Sequence, residues 1–369
     1  MSEEKRYWLG FNLVRGIGAV RLKALIHHFG GVAAAWNGST EQLRAAGLGE
    51  KVIARLAAAR EGVDLDQLWQ RAEASGVRLL TSTDDEYPSR LKSIEQPPPV
   101  LFVRGDWLPE DSLAVAIVGT RRITPYGQQV TRQLSGYLAA HGVTIISGLA
   151  RGVDEVAHAA ALDAGGRTAA VLGSGVDRIY PPENRGLADQ ILHNGALLSD
   201  YPLGTAPESS NFPPRNRIIS GLSIATIVVE AGETSGALIT AEFAAEQGRD
   251  VFAVPGSILA PQSRGTNRLI QNGALPLLDP EDVLQTLHLD SAGEQRQARR
   301  ALPTDAIERE VLSVLGFEPL HVDAIRSSTG LPIEKVSAAL VMMELKGLVR
   351  EVGGAQYVAV REVQSGYSA

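Results

Sequence analysis

The chain has 369 residues, 44% of them hydrophobic, with no cysteine and a formal net charge of -7. That length supplies core for two or three domains, and the lack of Cys excludes disulfides, thiolate metal sites and a cysteine nucleophile. The acidic total argues against a protein that coats nucleic acid with a uniformly basic surface, and no apolar run of about 18 residues is present to span a membrane.

The lack of Cys makes a reducing cytoplasm the expected location, and the opening Met1–Arg6 lacks the cationic start and apolar stretch of a signal peptide. Residues 1–80 are Ala/Leu-rich with helical spacing, broken by Gly16-Ile-Gly18, Phe29-Gly-Gly31 and Gly47-Leu-Gly49. They carry eleven Lys/Arg against eight Asp/Glu, so positive charge is local. Leu13–Lys23 has the shape of a helix-hairpin-helix. Its Gly-x-Gly turn suits either backbone amides presented to a phosphate, with Arg21 and Lys23 behind, or a plain turn in a helical bundle. His27-His28 lacks a third donor at metal-ligand spacing. Residues 81–111 are Pro-rich, through Tyr87-Pro88 and Pro97-Pro-Pro99, and read as a connector ending in an edge strand over Val100–Val103.

From 112 to 288 short β-branched runs alternate with helical runs, the signature of βαβ units and a parallel sheet. The expected strands are Ala114–Val118, Val143–Ile146, Ala169–Leu172, Ala196–Ser199, Ala225–Val229 and Val251–Val254. Four strand ends share one design. The first runs into Gly119-Thr120-Arg121-Arg122, with Thr124-Pro125 reading as a helix start. The second runs into Ser147-Gly148 and Arg151, with Asp154 and Glu155 opening a helix. The third runs into Gly173-Ser174-Gly175, then Tyr180–Asn184 and Arg185. The fifth run, Ala225–Val229, empties into Glu230 and then Thr234-Ser235-Gly236, after a proline-started turn or short helix carrying Phe212, Arg215, Asn216 and Arg217. Small residues at such ends let backbone N–H groups approach an oxyanion, and helix N-termini add a favourable dipole. An anion-binding crest is expected there, its six arginines meeting phosphates, with Phe212 and Tyr180 either stacking on bases or closing the core beneath the loops. Surface ion pairs to Asp154, Glu155, Glu183 and Glu230 are the bland alternative. Every cation in 112–288 is Arg, which suits bidentate phosphate contacts.

Neither a Gly-x-Gly-x-x-Gly fingerprint nor a Walker loop follows any expected strand, so no nucleotide cofactor is expected. Gly-x-Ser-x-Gly does not occur, and Ser174 and Ser235 have no evident His partner. His158 lies in an apolar helix and reads as structural. Glu230 reads as orienting Arg215 or Arg217 rather than holding a metal. Residues 289–302 read as a polar linker. Residues 303–369 give three helices and a β-hairpin, a winged-helix pattern. The module is acidic and its would-be recognition helix, Val336–Leu345, is nearly uncharged, which favours a protein contact over base reading.

At Val115–Arg122, Ser147–His158, Val171–Asn184, Phe212–Gly236, Val251–Ser257 and Arg264–Gly273 the sequence resembles the DNA processing protein A (DprA/Smf) family. The resemblance implies an α/β fold: a Rossmann-like, doubly wound, mostly parallel sheet. It also implies a helical (SAM/helix-hairpin-helix-like) amino-terminal domain and a winged-helix carboxy-terminal domain. It further implies a homodimer without catalytic turnover that binds single-stranded DNA without sequence preference, protects incoming strands in natural transformation and helps load the RecA recombinase. Single-strand-binding protein is a further candidate partner. The family places one DNA-contacting cation at the position of Arg121 or Arg122, and many members place a Lys in the loop Tyr180–Asn184. Here Pro182 occupies that slot and Arg185 is the candidate substitute. The alternative is a nucleotide-processing enzyme similar to phosphoribohydrolases, whose Pro-Gly-Gly-x-Gly-Thr loop is replaced here by Ala231–Gly236.

Overall fold

Helical spacing in the first eighty residues resolves into six helices: α1 (Ser2–Leu13), α2 (Ala19–Phe29), α3 (Val32–Asn37), α4 (Thr40–Ala45), α5 (Glu50–Gly62) and α6 (Leu65–Ala74). The computed structural model describes residues 2–287, 306–315, 319–345 and 349–359, in two units, Met1–Val283 and Leu284–Ala369. Between α1 and α2 the expected turn is present, with Gly16 in the left-handed region at φ 106°. Its carbonyls are in use: Arg21 Nη1 donates to Gly16 O at 2.6 Å and Arg55 Nη1 to Arg15 O at 3.0 Å.

Strand β1 (Val77–Thr81) follows, then α7 (Ser89–Lys92) and β2 (Val100–Gly105). Here the structure departs from the sequence reading. β2 is no edge strand: it pairs antiparallel with β1 on one side and with the later strand at 195–199 on the other. The pairing partners are distant in sequence, so local pattern does not reveal them.

The alternating segment forms β3 (Ala114–Val118), α8 (Pro125–Ala140), β4 (Thr144–Ser147), α9 (Val153–Asp163), β5 (Thr168–Val171), α10 (Arg185–His193) and β6 (Gly195–Ser199). It continues through α11 (Phe212–Leu222), β7 (Ala225–Val228), α12 (Gly236–Glu246), β8 (Asp250–Ala253), α13 (Arg264–Gln271) and β9 (Leu275–Pro276). The sheet order is β1-β2-β6-β5-β4-β3-β7-β8-β9, with every pair from β6 to β9 parallel. Strands β3 to β7 are buried at every position, as sheets covered on both faces require. The fold is the expected doubly wound α/β sheet. From β3 the chain winds outward through β4, β5 and β6, then returns to β7 on the other side. That reversal opens a crevice at the carboxyl ends of β3 and β7, where open α/β sheets take their ligands.

The helical region does not stand apart from this sheet. Phe11, Leu22, Leu25 and Trp36 belong to one buried cluster with Val77, Phe102, Ile191 and Leu197. Asn12 Nδ2 donates to Asp200 O at 3.2 Å, and Lys5 pairs with Asp84 at 2.9 Å.

Helix α14 (Pro280–Thr286) straddles the boundary between the units. The second unit holds α15 (Ala306–Val314), β10 (Leu320–His321), α16 (Val322–Thr329), α17 (Ile333–Leu345), β11 (Val349–Gly353) and β12 (Gln356–Ala359). Three helices and a hairpin pack around Val311, Ile325, Val336, Leu340 and Met343, the expected winged helix. The expected linker, 289–302, lies outside the described residues.

Candidate nucleic-acid interface

The crevice at the switch point is a cleft of about 800 Å³. Gly119–Arg122 line it from the end of β3, and Phe212, Arg215 and Asn216 from the start of α11. Gly232–Ala237 line it from the β7–α12 junction, Pro261, Gln262 and Arg264 from the start of α13, and Tyr180 from the third loop.

A buried carboxylate holds the two central loops together. Glu230, at the end of β7, accepts from Thr124 N at 2.9 Å and Thr124 Oγ1 at 2.5 Å, and its carbonyl accepts from Thr120 N at 2.7 Å. The expectation that Glu230 orients Arg215 or Arg217 is therefore not met: it fastens the start of α8 to the end of β7. Gly119 is required in this joint, since a Cβ there would lie 2.5 Å from Val153 Cγ2 and 3.0 Å from Glu230 O.

On the loop so fixed stand Arg121 and Arg122, both exposed. Among the described residues neither guanidinium has a hydrogen-bond or carboxylate partner. Arg121 instead lies against an aromatic face, with Cζ 5.3 Å from the centroid of Phe212. Tyr180 stands beside the same ring at 5.8 Å, tilted by 32°. Gly173 makes room for it: a Cβ there would lie 2.7 Å from Phe212 Cδ1.

Beneath the ring lies Arg215, 4% exposed and with Cζ 5.9 Å from the Phe212 centroid. Its Nη1 donates to Val171 O and, at 3.2 Å, to Gly148 O. Burial draws its pKa down to about 10, opposed by the nearby Asp154. Asp154 accepts from Gly148 N at 3.1 Å and Ala150 N at 3.4 Å. Burial pushes that carboxyl up, with Arg215 working the other way. Arg215 is thus committed to internal carbonyls and supports the floor. His158, fully buried with Nδ1 2.6 Å from Thr168 Oγ1, is pushed down to about 3 by burial and then by Arg215, so it is neutral and structural.

The cleft gathers Gly119, Thr120, Arg121, Arg122, Phe212, Arg215, Asn216, Thr234, Ser235 and Gly236 from the expected residues. The others lie outside it, for identifiable reasons. Ser147 donates to Ile117 O at 2.6 Å, Ser174 to Arg178 O at 2.6 Å and Asn184 Nδ2 to Leu149 O at 3.0 Å. Gly148 gives clearance to Arg215 and Asp154, and Gly175 to Pro202 O, just as Gly173 does to Phe212. These glycines serve close packing rather than exposed amides. Arg151 pairs with Glu183. Arg185 opens α10 beyond the lining. Arg217 faces away from Arg215, because two positions on a helix differ by about 200°. It donates to Asp200 Oδ2 at 2.9 Å and to Gln96 O at 3.0 Å.

Sequence reasoning missed Arg264, Gln262 and Glu233 on the opposite wall. The signal was present for Arg264, a cation opening a helix just after a strand-end loop. Its ion pair with Glu233 is long, at 4.0 Å, and both side chains are more than half exposed, so it is weak. Helix α12 begins in the same wall, with Ser235 capping Ala237 N at 3.4 Å, which brings the positive end of a helix dipole to the cleft. Among the described residues no group of three or more His, Asp or Glu is placed to hold a metal ion, and no helix is long and apolar enough to cross a membrane.

Comparison with known proteins places these features in company. The model of the DNA recombination-mediator protein A family matches residues 78–288, and that of the DprA winged helix domain matches 295–355. Protein Smf of Synechocystis sp. is 38% identical, over 96% of this chain and 99% of its own. The crystal structure of DNA processing protein A from Streptococcus pneumoniae superposes with a TM-score of 0.67 at 34% identity, over 76% of this chain and 97% of that one. DNA processing protein A from Helicobacter pylori, a structure that describes a single-stranded DNA binding mode, superposes at 0.53 and 33% identity, over 58% and 96%.

Proposed function

The chain belongs to the DNA recombination-mediator protein A family, and from that premise we propose that it is a non-catalytic binder of single-stranded DNA. The sugar-phosphate backbone crosses the cleft between β3 and β7. One observation carries this reading: Arg121 and Arg122 stand unpaired among the described residues, on a loop braced by Glu230, beside an aromatic face. Unpaired guanidinia in a groove, with rings for base faces, are what strand binding without sequence preference requires.

Gly119, Thr120, Thr234, Ser235, Gly236 and Asn216 complete the contact surface, with Arg264 on the far wall. Arg215 acts from below as a positioning residue. Residues 112–288 are the strand-binding part. The region 1–80 buttresses it, the passage 81–111 extends its sheet, and 303–369 follows the linker 289–302 as a separate module. On α17 Val341 and Met342 are exposed, which supports a protein contact there. From the family we extend the reading to protection of incoming strands in natural transformation, loading of RecA, contact with single-strand-binding protein, and action as a cytoplasmic homodimer.

A competition titration with single strand, duplex and mononucleotide at two salt concentrations tests the proposal. The expected order is single strand first, with affinity falling as salt rises. Equal affinity for duplex, or release of base from nucleoside monophosphates, would overturn it.

A further inference from the structure

Two large aliphatic side chains project almost fully into solvent beside the cleft: Ile258 is 83% exposed and Leu259 84%. They crown the loop between β8 and α13, and this loop is fastened at both feet. On the first, Tyr126 Oη donates to Pro255 O at 2.9 Å, and the Asn267 amide bonds both backbone groups of Gly256, at 3.2 and 3.0 Å. On the second, Ala231 N donates to Gln262 O at 2.8 Å and Gly265 N to Ala231 O at 2.8 Å. The crown itself is a closed turn, with Ala260 N donating to Ser257 O at 3.0 Å.

These fastenings fix where the pair stands. Ala231 leads directly into Gly232–Gly236, the cleft wall, and Pro261 and Gln262 on the loop's second foot line that wall themselves. A turn held this firmly does not fold its aliphatic tips inward, and adjacent exposed Ile and Leu on a braced turn mark a contact surface.

We propose that Ile258 and Leu259 form an aliphatic wedge that seats against the base faces of the strand in the cleft. The inference rests on the single-strand reading above and deepens it. The cations of the cleft attend to phosphates, while a single strand turns its bases out of the backbone. Base faces are apolar, and aliphatic side chains inserted between base steps are an established way of meeting them. The wedge also supplies discrimination. In a duplex a wedge must first unstack a base step, at a cost of about a few kcal/mol, whereas a single strand offers its base faces without that cost. Aliphatic contact reads no hydrogen-bonding edge and is blind to sequence.

The test pairs the full chain and an Ile258→Ser/Leu259→Ser variant with two probes, an ordinary oligodeoxynucleotide and one of equal length carrying a run of abasic sites. Both positions are exposed, so the variant is expected to melt with the unmodified chain. On the ordinary strand the variant should bind about tenfold more weakly. On the abasic strand both proteins should bind alike, and the salt slope of the variant should match the unmodified chain because no phosphate contact is lost. Equal losses on both probes, or no loss on either, overturn the wedge. So does a variant that becomes monomeric by light scattering while the unmodified chain is dimeric, since the pair would then serve a second copy of the chain. If the unmodified chain binds neither probe, the single-strand reading itself fails and takes the wedge with it.

Discussion

Arg121 rests over the ring of Phe212, its guanidinium carbon 5.3 Å from the ring centroid, on a loop from a different strand end. The contact holds a cation and an aromatic face at one spot, and among the described residues no carboxylate pairs with the guanidinium. A phosphate and its neighbouring base need that combination, and the predictions below separate the two halves of it.

Replacing both Arg121 and Arg122 by Ala removes the unpaired cations. Single-strand affinity should fall, and the slope of log affinity against log salt should shrink by about 1.4, since each phosphate contact on a single strand contributes about 0.7. Thermal melting should not move. Fluorescence anisotropy over a salt series reads the slope, and an unchanged slope would falsify a phosphate role for the pair.

Phe212→Leu keeps an apolar side chain but removes the stacking face, and should weaken binding by about 1 to 3 kcal/mol. Gly173→Ala is the subtler probe. Its Cβ needs the space of Phe212 Cδ1, 2.7 Å away, so the ring must pivot. Affinity should drop several-fold with little loss of stability. Binding and melting curves on the same preparation check both.

Arg215 behaves oppositely. Met in its place leaves the carbonyls of Val171 and Gly148 without their donor in a buried setting. A loss of about 2 to 4 kcal/mol of folding stability is expected by urea denaturation. The Arg121 and Arg122 changes, on exposed side chains, should cost nearly none.

His158 gives a pH signature. Its folded pKa is held near 3 against an ordinary 6.5, first by burial and then by Arg215. Between those values the unfolded chain binds the extra proton, so stability is fully present above about pH 6.5 and is lost as pH falls toward 3. The slope is about 1.4 kcal/mol per pH unit. The raised Asp154 pKa has the opposite sign within its own range, so the measurement compares chains. The gap between unmodified protein and His158→Asn should narrow as pH falls.

Glu183 removes Arg151 from use by pairing with it. Glu183→Gln frees a guanidinium close to Ala150 and Tyr180 on the cleft margin and deletes a repelling charge. Affinity should rise about two- to fivefold at low salt and revert at high salt, because the gain is screened. A titration showing no gain at low salt would leave Arg151 outside the strand's path.

Much of this was legible in sequence. The six strands expected in the parallel sheet lie within a residue of their expected positions, because strands buried on both faces are continuous runs such as Ala114–Val118. The cleft's place followed from strand ends followed by small residues. What escaped was set by three-dimensional neighbours. β2 became internal through pairing with β1 and β6. Arg215 and Arg217 looked equivalent as letters, yet helical rotation sent one under Phe212 and the other to Asp200. The glycines at 148, 173 and 175 looked like open amide cradles, but each clears a side chain or carbonyl that only the folded chain brings near.

The shared cluster from Phe11 to Leu197 has a practical corollary for anyone trimming this chain. The family match begins at residue 78, which invites a shortened version starting there. Such a cut would remove the helices and Val77 from against Phe102 and Leu197 and leave a greasy flank bare to water. Where the family model begins and where a stable polypeptide can begin are different places here, and expression work should keep the first seventy-seven residues attached.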